Sequence, residues 1–229
     1  MTDFKFEAAG AAFQLIKAGQ TIGLGAGTTI SHVVKMISDD TSLSASLILT
    51  SSSFKTMGLL QKYGLSVQHP SLLNNLDIYF DGCDQFDAEL NALKSGGGIH
   101  TTEKILASMA DEFILIGDDS KFSEKLDNKH PLVVEVLPQA LQAVLSALKS
   151  SFPGATINLR AGDQKDGAVI SDNGNMLADI YFEMLPPPEK LNTQIKMMPG
   201  VIDHSLFYRM ATKAIIAGKD GISIITPNY

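Results

Sequence analysis

The chain has 229 residues, 45% of them hydrophobic and 19% charged, with a formal net charge of −7. That supplies the core of one large domain, or of a domain with a smaller appendage, and no apolar run approaches the ~18 residues of a membrane span. An acidic chain without a Lys/Arg cluster has no general field for nucleic acid, and its single cysteine, Cys83, excludes an intrachain disulfide and any multi-cysteine metal centre.

The opening "MTDFKFEAAG" lacks the charged-then-apolar layout of a signal peptide, so a cytoplasmic location is expected. Phe4 to Lys17 reads as a helix ended by Gly19, "TIGLG" as a short buried strand, and Ile30, Val33, Val34 and Ile37 fall at helical spacing. Then come the strand "LILT", a helix from about Phe54 to Tyr63 closed by Gly64, the strand "DIYF", a helix from Thr102 to Ala110 and the strand "FILI". Such alternation predicts an α/β fold, a Rossmann-like parallel sheet with helices on its faces. After about Asn128 the texture changes to "PLVVEV", a helix from Pro138 to Ser150, the short strands "TINLR", "GAVIS" and "MLADIYF", and a helix near Pro188 to Met197. This second part is expected to be a smaller α+β domain over 129–203. "AIIAG" and "GISIIT" return as strands to the first domain, which then comprises 1–128 plus 204–229.

In parallel sheets, ligands sit beyond the carboxyl ends of the strands. Four unusual stretches fall there: "GAGTT", "SSS", "DGCD" and "GDDSK". "GLGAGTT" places three glycines where a strand turns into a helix, and the free N–H groups and helix dipole there suit an anion. Its spacing is not a dinucleotide fingerprint, and the next strand ends in Ser51 and Ser52 instead of an acid for a ribose. Asp81 and Asp84 lie close enough to reach one pocket, where paired acids could hold a metal, bind sugar hydroxyls or move protons. The histidines at 32, 69, 100, 130 and 204 form no ligand-like or triad-like spacing, so structural or surface roles are expected for them. The aspartates beside Cys83 disfavour a thiolate. Lys94 precedes Ser95 and the run Gly96 to Gly98, through which backbone can approach a ligand, and Thr101 or Thr102 is expected to cap a helix with Glu103 in its first, exposed turn. Glu103 there is either a capping carboxylate or a general base.

At these residues the chain resembles the type A ribose-5-phosphate isomerases, in order and across nearly its whole length. The resemblance rests on "GLGAGTT" at 23–29, Ser51 to Ser53, "DGCDQ" at 81–85, Lys94 to Lys104, "DDSK" at 118–121, "PLVVEVLP" at 131–138 and "SDNGN" at 171–175. It implies interconversion of ribose 5-phosphate and ribulose 5-phosphate through an enediolate, without metal or cofactor, in a homodimer or higher homo-oligomer. By carry-over Glu103 is the base, Lys94 stabilises the oxyanion, and Asp81 and Asp84 orient hydroxyls and assist ring opening. Phosphate falls to Thr28, Thr29, Lys121 and Lys5. Ala26, Gly27, Gly82, Cys83, Ser95, Gly96 and Gly97 complete the expected substrate contacts. The chain departs from the family pattern at Ala26, Thr28, Gln85, Ser95 and Thr102, which bears on rate and on phosphate binding. The rival expectation is a non-catalytic sugar-phosphate sensor of DeoR-like type, although such proteins carry a DNA-binding helical segment and this chain begins almost directly with its first helix and strand. A CoA transferase is a third, by fold analogy.

Overall fold

Residues 3–162 and 166–227 are described by the computed structural model. The first half follows the order α1 (Phe4–Phe13), β1 (Thr21–Leu24), α2 (Thr28–Asp39), α3 (Thr41–Ser44), β2 (Ile48–Ser51), α4 (Phe54–Lys62), β3 (Leu76–Asp81), β4 (Gln85–Phe86), β5 (Ala92–Leu93), α5 (His100–Met109) and β6 (Ala110–Asp118). The second continues with β7 (Leu132–Val136), α6 (Leu141–Ser151), β8 (Thr156–Leu159), β9 (Met176–Tyr181), α7 (Pro188–Lys196), β10 (Val201–His204), β11 (Leu206–Phe207), β12 (Lys213–Gly218) and β13 (Gly221–Ile225).

The main sheet has the order β13-β12-β6-β3-β1-β2 and is parallel except for the hairpin strand β13. Its inner strands are apolar on both faces because helices or small strands cover both, whereas the edge strand β13 is largely exposed. Ile78, Phe80, Ile114 and Ile116 pack to one side with Ala9 and Ala12 of α1 and Ile30, Val33, Val34 and Ile37 of α2. Tyr79, Phe113, Leu115 and Ile216 pack to the other with Leu106 of α5 and Phe207. The four apolar residues of the α2 stripe are fully buried, each worth ~1.5–3 kcal/mol of transfer free energy. β1 has β2 on one side and β3 on the other, so the chain reverses its direction of travel between β1 and β3. A crevice opens at that point beyond their carboxyl ends.

A four-stranded antiparallel sheet, β10-β7-β9-β8, packs its own core of Val134, Val136, Val144, Leu148, Ile180 and Leu191 against α6 and α7. A third sheet, β11-β5-β4, is made of two-residue strands. Those strands are too short to leave a period in the sequence. "GAVIS" is not a regular strand: Ala168 and Ile170 make single bridges to Ala161 and Met176, next to Gly167 at φ +106°. The first helix stops at Phe13, four residues before its expected end, where the chain tightens into a turn held by Leu15 N–H to Ala12 O and Ile16 N–H to Phe13 O. Among the described residues no helix is long and apolar enough to cross a membrane.

Candidate active site

A cleft of about 270 Å³ lies at this reversal point, lined from α1, the β1–α2 turn, the segments after β3, β5 and β6, and the start of α5. That is near the lower end of small-ligand sites. Its anion end is built by the turn after β1. Thr56 Oγ1 donates to Gly25 O at 2.8 Å, and Gly25 N–H donates to Phe80 O at 2.9 Å. Gly27, at φ +103°, then starts α2 without any side-chain cap, so the first-turn N–H groups have no side-chain acceptor of their own. Lys5 and Lys121 line the cleft together with Thr28 and Thr29. Lys121 sits on a short turn started by Asp118, whose carboxylate accepts from Ser120 N–H.

Gly25 is required for a different reason. A Cβ there would lie 1.9 Å from Asp81 Oδ1 and 2.0 Å from its Cγ. Gly25→Ala therefore displaces the Asp81 carboxylate. In a site where that carboxylate works on a substrate, a misplacement of this size costs about 10²-fold in kcat/KM, and that loss with circular dichroism unchanged is the expected result.

The other end of the cleft is an acid–base set. Lys94 Nζ lies 2.9 Å from Asp81 Oδ2 and 3.4 Å from Glu103 Oε1, and it also donates to Gly82 O. None of the three side chains is more than about 6% exposed. Asp81 also accepts from Ala26 N–H at 3.1 Å, Gly82 N–H at 2.8 Å and the Tyr79 hydroxyl at 2.6 Å. Asp84, half-buried, is fixed through Oδ2, which accepts from Ser95 N–H at 2.6 Å and Gly96 N–H at 3.0 Å. Burial raises Glu103 well above the usual carboxylate range, to about 8. Lys94 opposes that shift, and Asp81 adds to it. For Lys94 burial works toward the neutral form, but Asp81 and Glu103 outweigh it and hold the ammonium charged. Two carboxylates in one cavity with unlike surroundings divide acid–base labour.

Three anchors aim Glu103. Its helix begins at His100 with no side-chain cap. Thr101 Oγ1 donates instead to Glu135, a fully buried carboxylate on β7 that also takes Ser171 Oγ at 2.6 Å and Asn175 Nδ2 at 2.9 Å. One residue past Glu103, Lys104 pairs with Asp203 at 2.7 Å and donates to His204 O at 2.5 Å, tying α5 to β10. His100, at the start of this helix, and His204 of β10 are both buried, and burial, then Lys104, lowers them to about 4 and about 3. They are neutral packing groups at neutral pH.

Of the expected site residues, Lys5, Ala26, Gly27, Thr28, Thr29, Asp81, Gly82, Cys83, Asp84, Lys94, Gly96, Gly97, Glu103 and Lys121 all line this one cleft. Ser95 does not: its hydroxyl turns to Pro131 O, and it acts through its N–H on Asp84. Glu103 is buried against Lys94, not exposed, and neither Thr101 nor Thr102 is the cap. Cys83 is partly exposed to the cleft, and burial, assisted by Asp84 and Asp81 against Lys94 and Lys121, pushes its thiol up to about 12, so it stays protonated. Ile99, Ile116, Gly117 and Asp118 also line the cleft, beyond the residues expected to contact substrate. Asp118 had a signal in "GDDSK", whereas Ile99 and Ile116 read as ordinary core residues. Gln85 is buried away from the cleft, accepting from Asp127 N–H at 3.0 Å. No group of three or more His, Cys, Asp or Glu among the described residues is arranged to hold a metal ion.

The profile described as Ribose 5-phosphate isomerase A (phosphoriboisomerase A) matches residues 48–221. The ribose-5-phosphate isomerase A of Thermosynechococcus vestitus is 36% identical over 208 residues, 90% of this chain and 87% of that one. The chain belongs to the ribose-5-phosphate isomerase A family. The human ribose-5-phosphate isomerase is 37% identical over 90% of this chain and 67% of its own. Among solved structures, the family member from Methanocaldococcus jannaschii superposes with a TM-score of 0.90 at 33% identity, covering 98% of both chains. A D-ribose-5-phosphate isomerase in complex with phospho-erythronic acid superposes equally well, at 30% identity and 97% of both chains. The parallel-sheet architecture expected from the strand and helix alternation is thus the fold of this isomerase family.

Proposed function

We propose that this protein interconverts D-ribose 5-phosphate and D-ribulose 5-phosphate, a proton shift between C1 and C2 of the open-chain sugar. The observation that carries the reading is the meeting of Glu103, Lys94 and Asp81 in one water-poor cleft beside an anion cradle, in a chain of this family. The phosphate docks on the first-turn N–H groups of α2 with Thr28, Thr29, Lys5 and Lys121. Asp81 and Asp84 hold hydroxyls and assist ring opening. Glu103 removes the C2 hydrogen as a proton while the C1 carbonyl takes the electron pair as an oxyanion. Lys94 stabilises that charge at close range, where a fixed cation in a poorly solvated site is worth most. The enediolate collapses to the C2 ketone, the hydroxyl proton passes from O2 to O1, and Glu103 returns its proton to C1. The phospho-erythronic acid bound by the solved relative is a phosphorylated sugar acid, whose planar carboxylate has the shape and charge of such an enediolate.

A coupled isomerisation assay on the purified protein tests the reading. Turnover of ribose 5-phosphate supports it, and binding without turnover favours the DeoR-like sensor, which the family match does not support. The phosphate assignment has its own test in Lys121→Ala. Removing a charge-assisted contact shared by ground and transition states raises KM by roughly 10- to 150-fold with kcat little changed. An unchanged KM puts Lys121 outside the phosphate site.

With this function we propose the division into a catalytic domain, 1–128 plus 204–229, and a smaller domain, 129–203. The separate four-stranded sheet and its own core support it, and every residue given a chemical role here falls in the first. Cytoplasmic location and homo-oligomeric assembly are proposed on the family resemblance.

A further inference from the structure

The triple serine at the end of β2 has no part in the mechanism above, yet its middle residue points at the acid–base set. Ser52 Oγ lies 3.1 Å from the Tyr79 hydroxyl, and Tyr79 donates to Asp81 Oδ2 at 2.6 Å. Tyr79 is fully buried and Ser52 is 5% exposed, so water does not substitute for either contact. An ionised carboxylate only accepts, so the phenol proton is committed to Asp81 and the serine hydroxyl donates to the phenol oxygen. Asp81 thus receives four fixed donors, from Ala26, Gly82, Lys94 and Tyr79, whereas among the described residues Glu103 forms its ion pair with Lys94 and faces the Asp81 carboxylate beside it.

Resting on the isomerase reading, we infer that Tyr79 is a positioning residue that sets which of the two carboxylates flanking Lys94 carries the proton. The physical reason is asymmetry. Two buried carboxylates sharing one cation would otherwise compete for a proton, and a proton on Asp81 would free Lys94 to neutralise Glu103. By adding a donor to Asp81 only, Tyr79 holds that carboxylate as the acceptor facing Lys94, and leaves Glu103 as the group that gains and loses a proton. The charged groups acting on the phenol are Asp81 and Glu103. Burial first, and then both of these, hold it protonated, so it donates throughout the working range. Ser52 fixes the direction of the O–H, which gives the serine run a role at the site that its sequence alone did not disclose.

The test is the pH profile of kcat/KM for the whole protein and for Tyr79→Phe, with 13C titration of the Asp and Glu side-chain carboxyls as a readout independent of turnover. Loss of a donor to the anionic form raises the proton affinity of the pair. The ascending limb should therefore move to higher pH by about one unit, with kcat lower by ~10-fold and KM little changed. In the parent protein the upper carboxyl titration should belong to Glu103. In the variant Asp81 should share it. If Tyr79→Phe does not fold, 3-fluorotyrosine at position 79, a stronger acid and stronger donor of the same shape, should move the limb and the Glu103 titration to lower pH. Carboxyl titrations that shift as stated in a protein without isomerase activity would uphold the role of Tyr79 and sink the isomerase reading. An Asp81 carboxyl silent in the upper titration, with unmoved limbs in both variants, would overturn the inference while leaving the isomerase reading intact.

Discussion

Glu103→Gln should fold and lose about 10²- to 10⁴-fold in kcat, the usual contribution of a positioned base. Glutamine keeps the shape and can still accept from Lys94, but it cannot take the C2 proton. Exchange of the ribose C2 hydrogen with deuterated solvent should stop in parallel, because abstraction and exchange share one carboxylate. Stability is not expected to fall, and the reason differs from the one the sequence suggested. An exposed first-turn glutamate would contribute only ~0.3–1 kcal/mol through the helix dipole. The observed Glu103 is buried, with its pKa raised to about 8, so its charge costs free energy in the fold. The sign follows: the folded state holds the Glu103 proton more tightly than the unfolded state, so this group's contribution to stability is lost as pH rises from the ordinary glutamate range through about 8. Glu103→Gln removes that loss, which a comparison of thermal melts at pH 6 and pH 9 measures. A folded variant with near-normal turnover would hand proton transfer to Asp81 or Asp84.

Lys94→Met carries the second large effect. It removes the cation facing the oxyanion, a contribution of about 10²- to 10³-fold in kcat. It also strips the one influence that opposes the rise of Glu103, so the ascending limb of kcat/KM should shift to higher pH than in the parent protein. The same substitution leaves two buried carboxylates without a cation. Breaking such a set costs about 3–5 kcal/mol, reduced where protonation of Glu103 removes one of the charges. Melting temperature should therefore drop more at pH 9 than at pH 6. A variant with unchanged pH dependence would show that Lys94 does not govern Glu103.

The elements that the sequence foretold are those whose burial is regular. The α2 stripe, the apolar runs of β1, β3 and β6, and the return of β12 and β13 to the main sheet all followed from period and length. The two-residue strands β4, β5 and β11 leave no pattern, and β10 is hidden behind a Pro-Gly turn. At the site, the strand-end stretches pointed to the place and the family resemblance supplied the residues, 14 of the 15 expected lining one cleft with Ser95 the exception. What sequence could not supply was direction. Nothing in "TTEK" says that Thr101 turns to Glu135, 34 residues away, or that Glu103 turns inward to Lys94. Gly25 read as a turn glycine, but its reason is the Asp81 carboxylate 56 residues later, which no local rule contains.

The central claim is a proton shift between C1 and C2 carried by Glu103 in this cleft. Purified protein should be incubated with ribose 5-phosphate in deuterated water and followed by NMR. The account predicts that ribulose 5-phosphate forms with deuterium at C1, that ribose 5-phosphate gains deuterium at C2, and that both signals vanish in Glu103→Gln. Ribose 5-phosphate that stays unconverted and unlabelled by the parent protein, or label that persists in the folded variant, would contradict it.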